Sequence, residues 1–184
     1  APDVVFAWGE NKQIVKAGMV SPRVYNAMHS ALQASELNTS QKLLCQTILI
    51  LAYRTGMRIN EIAGIKLKNI KNLSDISIVL TPNPYLRLKS SSAKRRVLLE
   101  AFLKKDELRI VTMFISQQER IGASYLFSQG ASRQPLPTYF FSNLMRILWD
   151  GVLGQDNQNY TFHSFRHTAI SQLALAINGS ALAE

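Results

Sequence analysis

The chain has 184 residues, of which 47% are hydrophobic and 18% charged, and this is enough for one globular domain with a real core. Lysine and arginine total 21 against 12 acidic residues, and the formal net charge of +9 makes a polyanion, first of all nucleic acid, the expected partner. The alternative is a basic but inert surface. The single cysteine, Cys45, excludes an internal disulfide, and no apolar run is long enough to span a membrane.

The first half of the chain predicts three helices. Residues 1–20 have no clear pattern and are interpreted as a linker or N-terminal extension, after which Ser21 is a candidate N-cap and Pro22 a first helical residue. The stretch "TSQKLLCQTILILAYRTG" has helical apolar spacing, and Gly56 is placed to end that helix. A short third helix is predicted after Asn60, a candidate cap.

The pattern then changes to short β-rich runs. They are "ISIVL" (76–80), "YLRLK" (85–89) and "RRVLLE" (95–100), separated by turn segments, and they predict a small antiparallel meander over 76–100. Helical pattern resumes in "KKDELRIVTMFISQQER", in "TYFFSNLMRILWDGVL" and in a last helix from near His163 to Gly179.

The sequence therefore predicts a single domain over 1–184, mainly α with a small antiparallel β-sheet (α+β). Its parts are helical over 21–75, a β-meander over 76–100 and helical again over 101–184.

The last predicted helix carries charge on an apolar side. Helical spacing places Arg166 on one face with Ile170, Leu173 and Ile177. His163 lies one turn upstream on the same side. An arginine that faces the core needs a carboxylate inside the protein or a pocket that receives an anion. The alternative is a partly buried arginine that donates to backbone carbonyls.

A second arginine, Arg58, lies in the tight turn between two predicted helices, just after Gly56. Glu61 follows three residues later and can hold the Arg58 guanidinium in a bidentate pair. The alternative is an ordinary surface ion pair.

A basic hairpin is the third feature. Lys89 ends "YLRLK" just before a serine-rich turn, where a lysine commonly only solubilises an edge strand. Lys94, Arg95 and Arg96 make the far side of the turn basic as well, which suits contact with a phosphate backbone.

Taken in chain order, the three features resemble the motifs of the tyrosine recombinases, or phage-type integrases. "TGMRINEIAGIKL" is similar to the first arginine box of that family, with Arg58 as its arginine and Glu61 as its acid. "KSSSAKRRVLL" resembles the β-hairpin motif, with Lys89 as the family's lysine. "HSFRHT" resembles the second box, with His163 and Arg166 in the family's roles.

The resemblance covers roughly residues 40–180 and implies the fold of the family's catalytic core, acting in the integration or excision of a mobile element. It implies that a tyrosine hydroxyl attacks a phosphodiester of duplex DNA, forming a 3′-phosphotyrosyl bond and freeing a 5′-hydroxyl, without ATP, metal or another cofactor. Arg58 and Arg166 would clamp the phosphate oxygens. Lys89 would protonate the leaving oxygen, and His163 would assist proton transfer at the attacking oxygen.

The second box also contains His167, which is interpreted as a packing or hydrogen-bonding neighbour of the site. A pair of histidines four residues apart, His163 and His167, raises the possibility of zinc. However, "HSFRH" lacks the glutamate of an H-E-x-x-H site, and the sequence has no other evident ligand cluster. The prediction is therefore that there is no metal site.

One part of the family's pattern has no counterpart in the sequence. The resemblance implies a further histidine or tryptophan and then the nucleophilic tyrosine after the second box, but all six tyrosines precede Arg166. Tyr160 is close in sequence but lies on the wrong side of the motif. The expectation is a catalytic domain that is C-terminally incomplete and inactive in this form.

Other interpretations stay open. A non-catalytic DNA-binding relative and a type IB topoisomerase would share the fold or the clamp. In a basic helical module that binds a protein partner, Arg58, Lys89 and Arg166 would not converge. The resemblance implies a homotetramer on paired DNA sites, whereas we expect a monomer for this chain. The expected location is the cytoplasm of a bacterium, near the nucleoid.

Overall fold

The computed structural model describes residues 18–72, 74–87, 94–154 and 160–181. The predicted class, mainly α with a small antiparallel sheet, is confirmed. In chain order the elements are α1 (Pro22–Ala34), α2 (Thr39–Thr55), α3 (Ile59–Ala63), a 3-10 turn (Leu67–Asn69), β1 (Ile70–Asn72), β2 (Ile76–Leu80), β3 (Arg95–Leu98), α4 (Leu99–Phe102), α5 (Lys105–Arg120), α6 (Thr138–Leu153) and α7 (Phe162–Ala181).

Local capping rules set the first helix boundaries. The Ser21 hydroxyl accepts the Val24 backbone N–H at the start of α1, as predicted. Gly56 ends α2 with φ +62, the left-handed conformation that glycine adopts without strain. The prediction of Asn60 as a cap is wrong: α3 begins at Ile59, and the Arg58 backbone N–H donates to the Glu61 carboxylate at 2.7 Å.

The centre of the core is α2. Residues 45–53 are buried without interruption, and α2 packs against α1, α5 and α7. Cys45 is one of these buried residues, and burial raises the pKa of its thiol to about 11. None of the described helices has both the length and the apolar character needed to cross a membrane.

The sheet differs from the predicted meander in its strands. Its order is β1-β2-β3, with Ile78 of β2 opposite Ile70 on one side and Val97 on the other. The first strand therefore begins at Ile70 rather than residue 76. The strand predicted for 85–89 is wrong over its described part, because Asn83 and Leu86 exchange backbone hydrogen bonds and close a tight turn. Leu98 ends the last strand, where α4 begins.

The prediction of a core-facing stripe on the last helix is also wrong. Ile170, Leu173 and Ile177 are 52%, 56% and 61% exposed. The buried side of α7 is instead formed by Ser164, Phe165 and Thr168, which lie in the first two turns. Among the described residues of α7, the fully buried side chains all lie at its N-terminal end, so the apolar spacing further along does not report burial.

Candidate functional site: an arginine cluster beside Gly56

The end of α2 and the start of α7 touch at Gly56. A Cβ at this position would lie 2.8 Å from the Ala169 Cβ, so only glycine permits this close approach. The Arg166 Nη1 donates to the Gly56 carbonyl oxygen at 3.0 Å. The backbone contact therefore places Arg166 beside the turn that carries Arg58.

Glu61 is the carboxylate around which the arginines of this cluster gather. It is almost fully buried, and it accepts both guanidinium arms of Arg95 at 2.9 Å each. Its contact with the Arg58 guanidinium is a single one at 3.5 Å. The bidentate pair predicted between Arg58 and Glu61 is therefore wrong. The carboxylate accepts the Arg58 backbone N–H, and each of its two oxygens accepts a hydrogen bond from Arg95, the first residue of β3.

Cations outnumber carboxylates in this cluster. Burial, followed by the charge of Arg58, lowers the pKa of Arg166, while Glu61 opposes the shift and Arg95 adds to it. Burial raises the pKa of Glu61, but hydrogen bonds from Arg95 and from the Arg58 backbone outweigh it and lower that pKa overall. One glutamate thus faces three arginines, and the Arg58 side chain is 50% exposed. The cluster is positioned to receive an anion from solvent.

The two histidines of the second box border this cluster. Their rings are perpendicular, with centroids 4.6 Å apart, and both side chains are exposed. Slight burial, followed by the charges of His167, Arg166 and Arg58, lowers the pKa of His163 below its usual 6.5. His163 is therefore neutral at pH 7 and able to accept a proton.

The hairpin candidates are only partly placed. Lys89 lies outside the described residues. Lys94 is exposed immediately before β3, whereas Arg95, predicted to contact DNA, is engaged by Glu61. Among the described residues, no three His, Cys, Asp or Glu side chains are grouped as metal ligands.

Sequence reasoning missed a second charged cluster, around Glu107, whose arginine, Arg54, precedes Gly56 in the chain. Arg54 donates two arms to Glu107, with its Nε 2.9 Å from Oε2 and its Nη2 2.9 Å from Oε1. The Tyr25 hydroxyl donates to the same carboxylate at 2.7 Å and is 3.2 Å from the His29 Nε2. An arginine within a buried apolar run is the signal that could have revealed it, because such a charge needs a partner.

The charges in this second cluster are matched. Burial raises the pKa of Glu107, but hydrogen bonds from Arg54, the Lys104 backbone and Tyr25 lower it further than burial raises it. Burial and the hydrogen bond to Glu107 raise the pKa of Tyr25 far above its usual value, so the phenol stays protonated. Burial lowers the pKa of His29, which stays neutral at pH 7. The cluster ties α1, α2 and α5 together and leaves no charge to offer a ligand.

Comparison with known proteins agrees with this architecture. The model of the phage integrase family matches residues 20–178. No curated protein matches the chain significantly. Among solved structures, the chain is similar to XerA recombinase, with a TM-score of 0.60 and 16% identity over 85% of this chain and 50% of that one.

Two DNA-bound structures are also similar. XerH site-specific recombinase bound to its difH substrate gives a TM-score of 0.61 and 15% identity over 84% of this chain and 42% of that one. The Tn1549 transposon integrase in complex with circular intermediate DNA gives a TM-score of 0.64 and 16% identity over 90% of this chain and 55% of that one. At these identities the likeness concerns the fold, and the chain spans about half the length of each relative.

Proposed function

The chain belongs to the phage integrase family, with the fold of a tyrosine recombinase catalytic domain, and on this premise we propose that it clamps the scissile phosphate of duplex DNA during strand transfer. One observation carries the proposal. Arg58, Arg95 and Arg166 surround the single carboxylate of Glu61 at a partly exposed edge, so their excess positive charge is available to a phosphate.

The proposed reaction is a transesterification. A tyrosine oxygen attacks the phosphorus, a phosphotyrosyl bond forms, and the bond to the 5′-oxygen breaks. Arg58 and Arg166 stabilise the charge on the non-bridging oxygens, and a guanidinium can give two parallel hydrogen bonds to phosphate. Neutral His163 accepts the proton of the attacking hydroxyl. Lys89 donates a proton to the leaving oxygen, a role that we assign from the sequence motif alone.

We assign no nucleophile within these 184 residues. The tyrosine nearest in sequence to the second box, Tyr160, packs its ring against Trp149 and places its hydroxyl 3.5 Å from the Met19 carbonyl oxygen. In this proposal the attacking tyrosine comes from outside the chain as given, which by itself binds DNA without cutting it.

The proposed partner is duplex DNA, and the net charge of +9 supports it. XerH and the Tn1549 integrase, which share the fold, are themselves solved with DNA. For this chain we propose a monomer in solution and a homotetramer on paired sites when the attacking tyrosine is present, in the bacterial cytoplasm.

The test is covalent trapping on a nicked duplex, assayed by denaturing electrophoresis. The 184-residue chain should bind the duplex but give no adduct. A version that carries a tyrosine after α7 should give an adduct that Arg58→Ala or Arg166→Ala abolishes while duplex binding survives. An adduct that persists in Arg166→Ala would remove the clamp from the mechanism. The exposed cation Arg109 serves as the control, because Arg109→Ala should leave the adduct unchanged.

A further inference from the structure

A second basic site lies just beyond α3. Lys66, Lys68 and Arg133 line one cleft of about 390 Å³ together with Ser124 and Tyr125. We call it the Lys66 cleft. At about 30 Å³ per water, it holds roughly a dozen waters, which is enough room for a hydrated phosphate group.

The backbone around the Lys66 cleft is fixed. The Leu67 N–H donates to the Ser124 carbonyl at 3.1 Å, and the Leu126 N–H donates to the Ile65 carbonyl at 2.9 Å. These two bonds form an antiparallel bridge between Lys66 and Tyr125. The Lys66 ammonium then lies 5.6 Å from the centroid of the Tyr125 ring. The side of the cleft formed by Lys66 and Tyr125 is therefore held in place before any ligand arrives.

The charge of the Lys66 cleft is unmatched. None of the ion pairs among the described residues involves Lys66, Lys68 or Arg133. The Tyr125 ring is already in contact with Lys66 and with Tyr85, whose ring is perpendicular to it at 5.4 Å. A phosphate fits this arrangement better than a stacked nucleobase, since the aromatic ring is engaged and the three cations have no carboxylate partner among the described residues.

We propose that the Lys66 cleft binds a backbone phosphate of the same DNA duplex, apart from the phosphate held by Arg58 and Arg166. This inference rests on the proposed function. The five residues of α3 rise about 7.5 Å, and the three residues from Gly64 to Lys66 add at most about 10 Å. The backbones of Arg58 and Lys66 are thus less than about 20 Å apart, which is shorter than the ~34 Å of one turn of the double helix.

The test is the salt dependence of duplex binding by the 184-residue chain, measured by fluorescence anisotropy. Replacing all three cations, as Lys66→Gln, Lys68→Gln and Arg133→Gln together, removes the neutralisation of one phosphate and should flatten the slope of log K against log salt by about 0.9. Between 0.05 and 0.2 M salt, the affinity of the unsubstituted chain should then fall about 3.5-fold more than that of the triple variant.

A matched control separates location from net charge. Lys105→Gln, Arg109→Gln and Arg120→Gln on α5 remove the same three charges from exposed positions. This control variant should keep the slope of the unsubstituted chain to within about 0.3. Thermal unfolding of both triple variants, followed by circular dichroism, shows that each is folded before it is scored.

Duplexes with one methylphosphonate at each backbone position in turn identify the source of the phosphate. At one or two positions, neutralising the phosphate should weaken binding of the unsubstituted chain and leave the Lys66 cleft variant unaffected. Equal slopes for the two triple variants would overturn the inference and leave the proposed function standing. The same holds if every methylphosphonate weakens binding of the unsubstituted chain and of the Lys66 cleft variant equally. If the unsubstituted chain binds no duplex, the proposed function fails and the inference fails with it.

Discussion

The charged clusters around Glu107 and Glu61 contain arginines from either side of Gly56 in the chain, and these arginines have different roles. Arg54 and Arg58 are four residues apart, and each lies near one buried glutamate. Around Glu107, one arginine, one tyrosine hydroxyl and one backbone N–H fill the carboxylate. Around Glu61, two further arginines share the neighbourhood, and the Arg58 guanidinium makes only a 3.5 Å contact. Charge balance, not residue type, separates a structural arginine from one available to a ligand.

Exposure follows the same division. The Arg54 and Glu107 side chains are 19% and 6% exposed, whereas Arg58 is half exposed. A buried ion pair such as Arg54–Glu107 adds little net stability, but removing one partner is costly because the other charge stays buried. The exposed arginines around Glu61 add little to stability, and their positive potential can attract an anionic ligand. Substitutions should therefore affect stability on one side of Gly56 and phosphate binding on the other.

The largest expected effect is a loss of stability when the buried Glu107 is replaced. Glu107→Ala leaves the Arg54 guanidinium and the Tyr25 hydroxyl without their acceptor, and the free energy of unfolding should fall by about 3–5 kcal/mol. Urea denaturation followed by circular dichroism measures the change. The exposed pair of Arg146 and Asp150 provides the control, since Arg146→Ala should change stability by less than about 0.5 kcal/mol. Equal effects from the two substitutions would refute the structural role of Glu107.

The next effect concerns the junction between the clusters. Gly56→Ala adds a left-handed alanine, at about 1–2 kcal/mol, and forces the Ala169 methyl out of a 2.8 Å approach, for a total of about 2–4 kcal/mol. Denaturant unfolding measures the loss.

Gly122 separates these two contributions. It has φ +70 with nothing within 4 Å of an added Cβ, so Gly122→Ala should lose only the backbone part, about 1–2 kcal/mol. Adding Ala169→Gly to Gly56→Ala should recover part of the difference. If it recovers none, the close approach of α7 is not what requires glycine.

The features that could be predicted from the sequence are the local ones. Ser21 caps α1 and Gly56 ends α2 because the responsible atoms lie within a few residues of each other. Motif order also predicted that Arg58 and Arg166 are candidates for one site, although 108 positions separate them. The resemblance supplied that information, since no local rule connects the two positions.

The partners of the buried carboxylates could not be predicted, because sequence spacing favours the nearest arginine. Glu61 of α3 pairs with Arg95, which lies 34 residues away at the first position of β3. Glu107 pairs with Arg54, 53 residues away, across the contact of α2 with α5. The exposed apolar stripe of α7 is predicted to be buried for a related reason. Periodicity shows that residues share one face of a helix, but not whether another element packs on that face.

A smaller effect compares the two glutamates by acid titration. Both have a lowered pKa in the folded chain, so the stability they contribute is fully present above about pH 4.5 and is lost as the pH falls through the folded values. Urea unfolding from pH 7 to pH 3 should show this loss, and Glu107→Gln should remove part of it. An unchanged pH dependence in Glu107→Gln would mean that Glu107 titrates alike in the folded and unfolded chains.

The smallest effect probes the open cluster directly. The positive charges of Arg166 and Arg58 help to lower the pKa of His163 below 6.5, so its imidazolium form is less stable in the folded chain than in a free histidine. Arg166→Gln removes one positive charge and should raise the pKa of His163, as measured by NMR titration of the imidazole, whereas Arg54→Gln should leave it unchanged because Glu107 neutralises that arginine. Phosphate bound between Arg58 and Arg166 should raise the same pKa, since an anion stabilises the imidazolium. If Arg166→Gln leaves the pKa of His163 unchanged, the two side chains do not share one electrostatic site. The Glu61 cluster would then not be the phosphate site that distinguishes it from the Glu107 cluster.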